Sequence, residues 1–270
     1  MFKKEYLLYT ILYMLTRSVI QLCKNNVMCL SGGKIKKTSN TKVKNEITPL
    51  YTGFTSTQNQ ELYLQSLSNK KVTIAHGPAG TGKTMLACAH AIQELNSGMY
   101  EKVIITRPAV ALDEEHGYLP GDLNEKMLPW MIPIYDNFMM FTTKNNLEYH
   151  IESGKIEIAP LSFIRGRTFH NTLVIADEMQ NSTNNQMKTL LTRIGTESSM
   201  IVTGDLQQCD LDVGETNGLL DFIERFKDYS AYTEINDDFI CVIELDTIDI
   251  QRSDTVKHIL DIYDHDMMKK

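Results

Sequence analysis

Gly77-Pro78-Ala79-Gly80-Thr81-Gly82-Lys83-Thr84 fits the pattern G-x-x-x-x-G-K-[ST]. Lys71-Val72-Thr73-Ile74-Ala75-His76 precedes it and reads as a short buried strand. Met85-Leu86-Ala87-Cys88-Ala89-His90-Ala91-Ile92 follows and reads as a helix packed on a sheet. Strand, glycine loop and helix are the context in which this pattern grips phosphate. Glycines let the backbone curl so that several N–H groups converge on one anion, and the positive end of the next helix points at the same place. On this reading residues 77 to 84 hold a nucleotide. Lys83 reaches the β- and γ-phosphates, and the Thr84 hydroxyl sits on Mg²⁺.

Two further strand ends carry matching chemistry. Thr172-Leu173-Val174-Ile175-Ala176 is an apolar run ending in Asp177-Glu178. Asp177 at the strand end suits Mg²⁺, and Glu178 suits activation of an attacking water. The adjacent acids favour hydrolysis over transfer to a bound acceptor, and Gln180 can help order the water. Met200-Ile201-Val202-Thr203 is another strand, followed by Gly204-Asp205-Leu206-Gln207-Gln208. A polar group there lies beside the γ-phosphate in helicase-type sheets, and Gln208 is the candidate sensor.

Lys102-Val103-Ile104-Ile105-Thr106 reads as a buried strand stopped by Pro108, leaving Thr106 and Arg107 at its carboxyl end, where open parallel sheets bind ligands. Lys155 to Ala159 reads as a strand leading into Arg165-Gly166-Arg167, which suits phosphate contacts or surface salt bridges. Thr106, Arg107, Arg165 and Arg167 are therefore the candidate nucleic-acid contacts. Trp130, Tyr135, Phe138 and Phe141 fall at helical spacing and read as core before base stacking. Gln60 opens a helix expected from Asn59 to Ser68. It reads as a capping or exposed glutamine whose amide could also pair with adenine.

The chain has 270 residues, 42% hydrophobic and 23% charged, enough for one large domain or two small ones and for a full core. Its net charge of −7 argues against a constitutively coated nucleic-acid surface but leaves room for a local basic groove. Five scattered cysteines without a C-x-x-C pair indicate neither a disulfide framework nor a zinc site; a reducing, cytoplasmic setting follows. Residues 1–47 read as an N-terminal helix and a flexible basic linker. The apolar run near Leu7 to Leu15 leaves open an amphipathic helix, a start codon placed too early, or an anchor, though it is short for a membrane span of roughly 20 residues. The front end is too short and too poor in acids to be read as a fused nuclease. Residues 48–270 read as the nucleotide-binding domain. Asn184 to Ile194 and Asn217 to Phe226 read as helices, Asp228 to Asp238 as a loop, and Cys241 to Leu245 as a last strand.

These residues together resemble the PhoH family of phosphate-starvation-inducible P-loop ATPases, related to the first RecA-like domain of superfamily one helicases. GYLPGDLNEKM (117–127) and IAPLSFIRGRTFHNTLVIADEMQN (158–181) carry the resemblance, which spans about Thr48 to Tyr263. Ala111 to His116 departs from it, lacking the glycine-containing turn usual there. The resemblance implies an α/β fold of RecA-like P-loop NTPase type, a mostly parallel sheet with helices on both faces. It implies ATP and Mg²⁺ as ligands, ATP hydrolysis, and a link to RNA or single-stranded nucleic acid. It also places Arg252 where relatives carry an arginine followed by histidine; here Ser253 follows. Such an arginine can reach a γ-phosphate in its own subunit or in a neighbour's. A homo-oligomer, with a hexameric ring as one form, is the matching expectation. The alternatives are a nucleotide-gated binding module and a P-loop kinase.

Overall fold

The computed structural model describes residues 56–108, 123–211, 216–233 and 237–250, with backbone alone for 123–130. These fall within one compact unit, Ile47–Lys270. The readings made of residues 1–47, of the Ala111–His116 loop, of Arg252 and of Ser253 lie outside the described residues.

In chain order the elements are α1 (Gln58–Asn69), β1 (Val72–His76), α2 (Lys83–Ser97), β2 (Lys102–Arg107), α3 (Leu123–Met139), α4 (Lys144–Glu152), β3 (Ile156–Pro160), β4 (Thr172–Ala176), α5 (Asn184–Leu191), β5 (Ser199–Gly204), α6 (Gly218–Thr233) and β6 (Ile240–Glu244). The strands form one sheet in the order β3-β2-β4-β5-β1-β6. All five pairings are parallel. The expected α/β class with a parallel sheet is therefore the observed one. β5 stands between the phosphate-loop strand β1 and the acid-bearing strand β4.

Parallel strands need crossover helices, so both faces are covered and the strands read as continuous apolar runs. Alternate residues then divide between two cores. Val103, Ile105, Leu173, Ile175 and Ile201 face Tyr63 and Leu67 of α1, Leu86 and Ile92 of α2, Ile134 and Phe138 of α3, and Leu147 of α4. Val72, Ile74, Ile104, Val174, Met200 and Val202 face Leu161, Ile164, Phe169, Met187 and Leu190 of α5, and Leu219 and Ile223 of α6. Among the expected aromatics, Phe138 is fully buried and Tyr135 packs partly against the first core; the Trp130 side chain lies outside the described residues.

One boundary differs in kind. The segment from Asp228 was expected to be loop, yet α6 runs on through Thr233. Leu219 and Ile223 anchor its first turns, and Phe222 stacks on Phe226. Once such a nucleus stands, each added turn costs little even with Tyr229 and Tyr232 exposed.

Candidate nucleotide site

The carboxyl ends of a parallel sheet share one rim, so residues far apart in the chain meet there. β1 delivers the loop 77–84, β4 delivers Asp177 and Glu178, β5 delivers Asp205 and Gln208, and β2 delivers Arg107. A cleft of about 330 Å³ lies between them. Ala79, Gly80, Gly82, Lys83, Thr84, Asp177, Glu178, Asp205 and Gln208 line it, together with Met85 and Asn137, which the sequence reading did not single out.

The loop is held by its own strand neighbours. Gly77 has φ +144°, and its N–H donates to the Gly204 carbonyl at 3.2 Å. A Cβ at Gly77 would stand 2.0 Å from the Leu245 carbonyl oxygen, so the chain leaving β6 requires glycine at this point. The buried Thr81 donates its hydroxyl to the Pro78 carbonyl at 2.9 Å, closing the loop on itself. Lys83 opens α2 and is nearly buried; its Nζ donates to the Gly77 and Pro78 carbonyls at 2.6 and 2.8 Å. Burial pulls its pKa below the usual lysine range, and Asp205, Glu178 and Asp177 pull it partly back.

Asp177 is the centre of the rim. Its Oδ1 accepts from Thr84 Oγ1 at 2.7 Å and from Thr203 Oγ1 at 2.5 Å. Its N–H donates to the Thr106 carbonyl at 2.9 Å. A hydroxyl and a carboxylate this close, in a cleft that also holds an ammonium, fit a hard divalent cation bound between protein and phosphate oxygens. Among the described residues no group of three or more His, Cys, Asp or Glu forms a metal cage of its own.

Glu178 takes φ +55°, a left-handed conformation uncommon for a glutamate. That turn ends the strand and swings the carboxylate into the cleft. Both its oxygens are engaged: Oε1 lies 2.9 Å from Arg107 Nη2, and Oε2 accepts from Gln180 Nε2 at 2.5 Å. Gln180 is almost fully buried. Its Nε2 also donates to the Gln208 carbonyl at 3.1 Å, and its Oε1 accepts from the Asp205 N–H at 3.0 Å. It therefore orients Glu178 and ties β4 to the loop after β5, a role the sequence reading, which gave it to the water, did not find.

The candidate nucleic-acid contacts divide. Thr106 is fully buried, so the expectation of a contact there is corrected: it acts through its carbonyl on Asp177, inside the sheet. Arg107 points into the nucleotide rim, 2.9 Å from Glu178 and 3.6 Å from Asp177. Arg167 makes a bidentate pair with Glu157 at 2.6 and 3.0 Å and lies over the Phe169 ring, the salt-bridge reading of that loop. The Arg167 hydrogen bonds hold the Glu157 carboxyl down at about 2, against burial and with help from Lys102. Arg165 is exposed.

Gln60 does cap α1. Its Oε1 accepts from the Thr57 N–H at 3.0 Å in a reciprocal capping box. Its Nε2 donates to the carbonyls of Thr81 and Asp249 at 3.0 and 3.1 Å, so the amide ties the phosphate loop to the turn after β6. Asp249 is itself fully buried, and it accepts from Thr57 Oγ1, from Asn59 Nδ2 at 2.9 Å and from the Asp246 N–H at 2.7 Å.

Comparison with known proteins bears on this site. Residues 54–264 match the family described as "PhoH: PhoH-like protein". A PhoH-like protein of Bacillus subtilis (strain 168) is 43% identical over 208 residues, 77% of this chain and 63% of that protein. Protein PhoH of Escherichia coli (strain K12) is 39% identical over 203 residues, 74% of this chain and 55% of that protein. The chain thus spans somewhat over half the length of these curated relatives. Among solved structures, the Pif1 helicase from Candida albicans aligns over 72% of this chain and 40% of its own, with 17% identity and a TM-score of 0.35. The family match runs from α1 past β6 and takes in the phosphate loop, both rim acids and Gln180; the chain belongs to the PhoH-like protein family.

Proposed function

We propose that this protein binds ATP with Mg²⁺ at the 77–84 loop and hydrolyses it, and that single-stranded nucleic acid, RNA in the first place, governs the rate. One observation carries the hydrolase reading. The Thr84 hydroxyl and the Asp177 carboxylate meet at 2.7 Å, with Glu178 the next residue on the rim and Lys83 beside them.

The loop amides and Lys83 would hold the phosphates, and Thr84 and Asp177 would hold Mg²⁺, which supplies charge neutralisation on the phosphate oxygens. Glu178, swung into the cleft and oriented by Gln180, is placed to take a proton from an attacking water. Gln208 and Asp205, each one hydrogen bond from Gln180, would read the γ-phosphate. The coupling to nucleic acid is supported by Arg107, which shares the Glu178 carboxylate from the neighbouring strand end. Assembly into a homo-oligomer is proposed alongside, and a mass measured by light scattering checks it.

ATP turnover with and without single-stranded RNA tests the reading, with Lys83→Ala as the blank. Turnover that RNA raises and Lys83→Ala abolishes is the expected result. Turnover by Lys83→Ala equal to wild type would overturn it.

The clamp on Glu178 supports a second reading. With both its oxygens held by Arg107 and Gln180, ATP could switch a partner surface without being consumed. In that case Glu178→Gln would bind ATP and retain full biological activity.

A further inference from the structure

The turn that follows β3 presents an aromatic ring that the core does not use. Phe163 is 52% exposed, while its neighbours Leu161 and Ile164 are 6% and 0% exposed. The ring is therefore displayed by a turn anchored on both sides. The anchor is firm: residues 161–164 form one helical turn packed against α5, and the Arg167 N–H closes back on the Ile164 carbonyl at 3.2 Å.

The charge around this ring is one-sided. Residues 160–171 and 182–196 meet here through Leu161, Ile164, Phe169, Met187 and Leu190. Between them they carry Arg165, Arg167, Lys188 and Arg193 and no Asp or Glu, in a chain that has 34 acids and a net charge of −7. Arg165 and Lys188 are exposed. Glu157 of β3 is paired with Arg167 and Lys102.

The turn also has a short route to the candidate base. Pro160, the last residue of β3, pairs in register with Arg107 at the end of β2, and Arg107 reaches Glu178. A displayed aromatic beside a cation is how proteins hold an unpaired base and its phosphate without reading sequence.

We infer that the 161–165 turn is a binding subsite for single-stranded nucleic acid, one base stacked on Phe163 and one phosphate on Arg165. Its occupancy is transmitted through the β3–β2 pairing and Arg107 to Glu178. This rests on the proposed coupling of ATP hydrolysis to nucleic acid, and it names the site of that coupling.

The full chain is titrated into a fluorescent single-stranded oligouridylate, read by anisotropy, and ATP turnover is measured on the same samples. Phe163→Ala should weaken binding by about 5- to 150-fold, the range of a lost stacking contact. Phe163→Tyr should restore it. Arg165→Ala should reduce the slope of log affinity against log salt by about 0.7. Turnover without RNA should be unchanged in all three, while RNA stimulation falls in Phe163→Ala. Equal RNA binding by wild type and Phe163→Ala would overturn the subsite and leave the coupling in place. So would a change of mass in light scattering with affinity intact, which would assign Phe163 to an interface between copies. A wild-type chain that binds no single strand overturns both, while turnover lost in Lys83→Ala would still support the hydrolase.

Discussion

Thr84 and Asp177, 93 residues apart in the chain, share a hydrogen bond of 2.7 Å, and Thr203 donates to the same carboxylate oxygen. Strands β1, β4 and β5 bring the three together because they are neighbours in the sheet and all end on one rim. Thr203 contacts no cleft space of its own; it fixes where Asp177 points. Replacing it with valine keeps the shape and removes the hydroxyl. On the proposed role of Asp177 at Mg²⁺, Thr203→Val should weaken Mg²⁺-dependent nucleotide binding by about 10- to 100-fold, the usual cost of removing a metal ligand's hydrogen-bond partner. A Mg²⁺ titration of nucleotide affinity measures it, and an unchanged midpoint would remove Thr203 from the site.

Gly77 is pressed against Leu245. Gly77→Ala places a methyl 2.0 Å from a backbone oxygen at a φ of +144°, so β1 and the β6 exit must separate. We expect a loss of more than about 2 kcal/mol, seen as a drop of roughly 5 °C or more in thermal melting. Gly98, also at positive φ but facing open space, is the control: alanine there should cost far less.

Gln180 should separate orientation from binding. Its amide holds Glu178 Oε2 and the loop after β5 without lining the cleft. Gln180→Ala is expected to lower kcat by about 10-fold or more with KM nearly constant, the pattern of an interaction needed in the transition state alone. A rise in KM at constant kcat would assign Gln180 to nucleotide binding.

Gln60 distinguishes a structural tie from base recognition. Gln60→Ala removes the capping box and the bonds to Thr81 and Asp249, so stability should fall by about 1 to 3 kcal/mol. Affinities for ATP and GTP should fall by the same factor, because the loop and not the base loses its support. A loss confined to ATP would mean that the amide exchanges a protein partner for adenine.

The Glu157–Arg167 pair makes an acid-side prediction. Glu157 has its folded pKa held down at about 2 by the Arg167 hydrogen bonds, against a usual value near 4.5. A depressed carboxylate contributes its stability above the unfolded pKa, and that contribution is lost as pH falls from about 4.5 towards 2. The pair is partly exposed, so the whole effect should be on the order of 1 kcal/mol. Comparing wild type with Arg167→Ala in urea, the difference in midpoint should shrink across this window. A difference independent of pH would show that Arg167 stabilises by packing on Phe169.

Much of this site was legible in the sequence because its signals are local. The phosphate loop needs glycine at fixed offsets, the β4 acids follow an apolar run directly, and buried parallel strands read as unbroken hydrophobic stretches. Local patterning also placed every observed strand to within a residue or two. α6 was read too short because propagation beyond an anchored nucleus leaves no apolar stripe to see. Thr106 was misjudged because polarity at a strand end does not say whether the side chain reaches solvent; here it is fully buried.

The residue types, their spacing and the helix and strand periods determined that this chain is a parallel α/β protein with a phosphate loop. Only the tertiary structure decided which strand ends adjoin. That order joins Arg107 to Glu178, closes Gln180 on both β4 and the loop after β5, turns Gln60 onto Thr81, and displays Phe163 on an anchored turn. The reason is physical. Chain-local patterns specify which surfaces must be buried, whereas contacts between distant residues depend on the crossover connections that set the order of strands in the sheet.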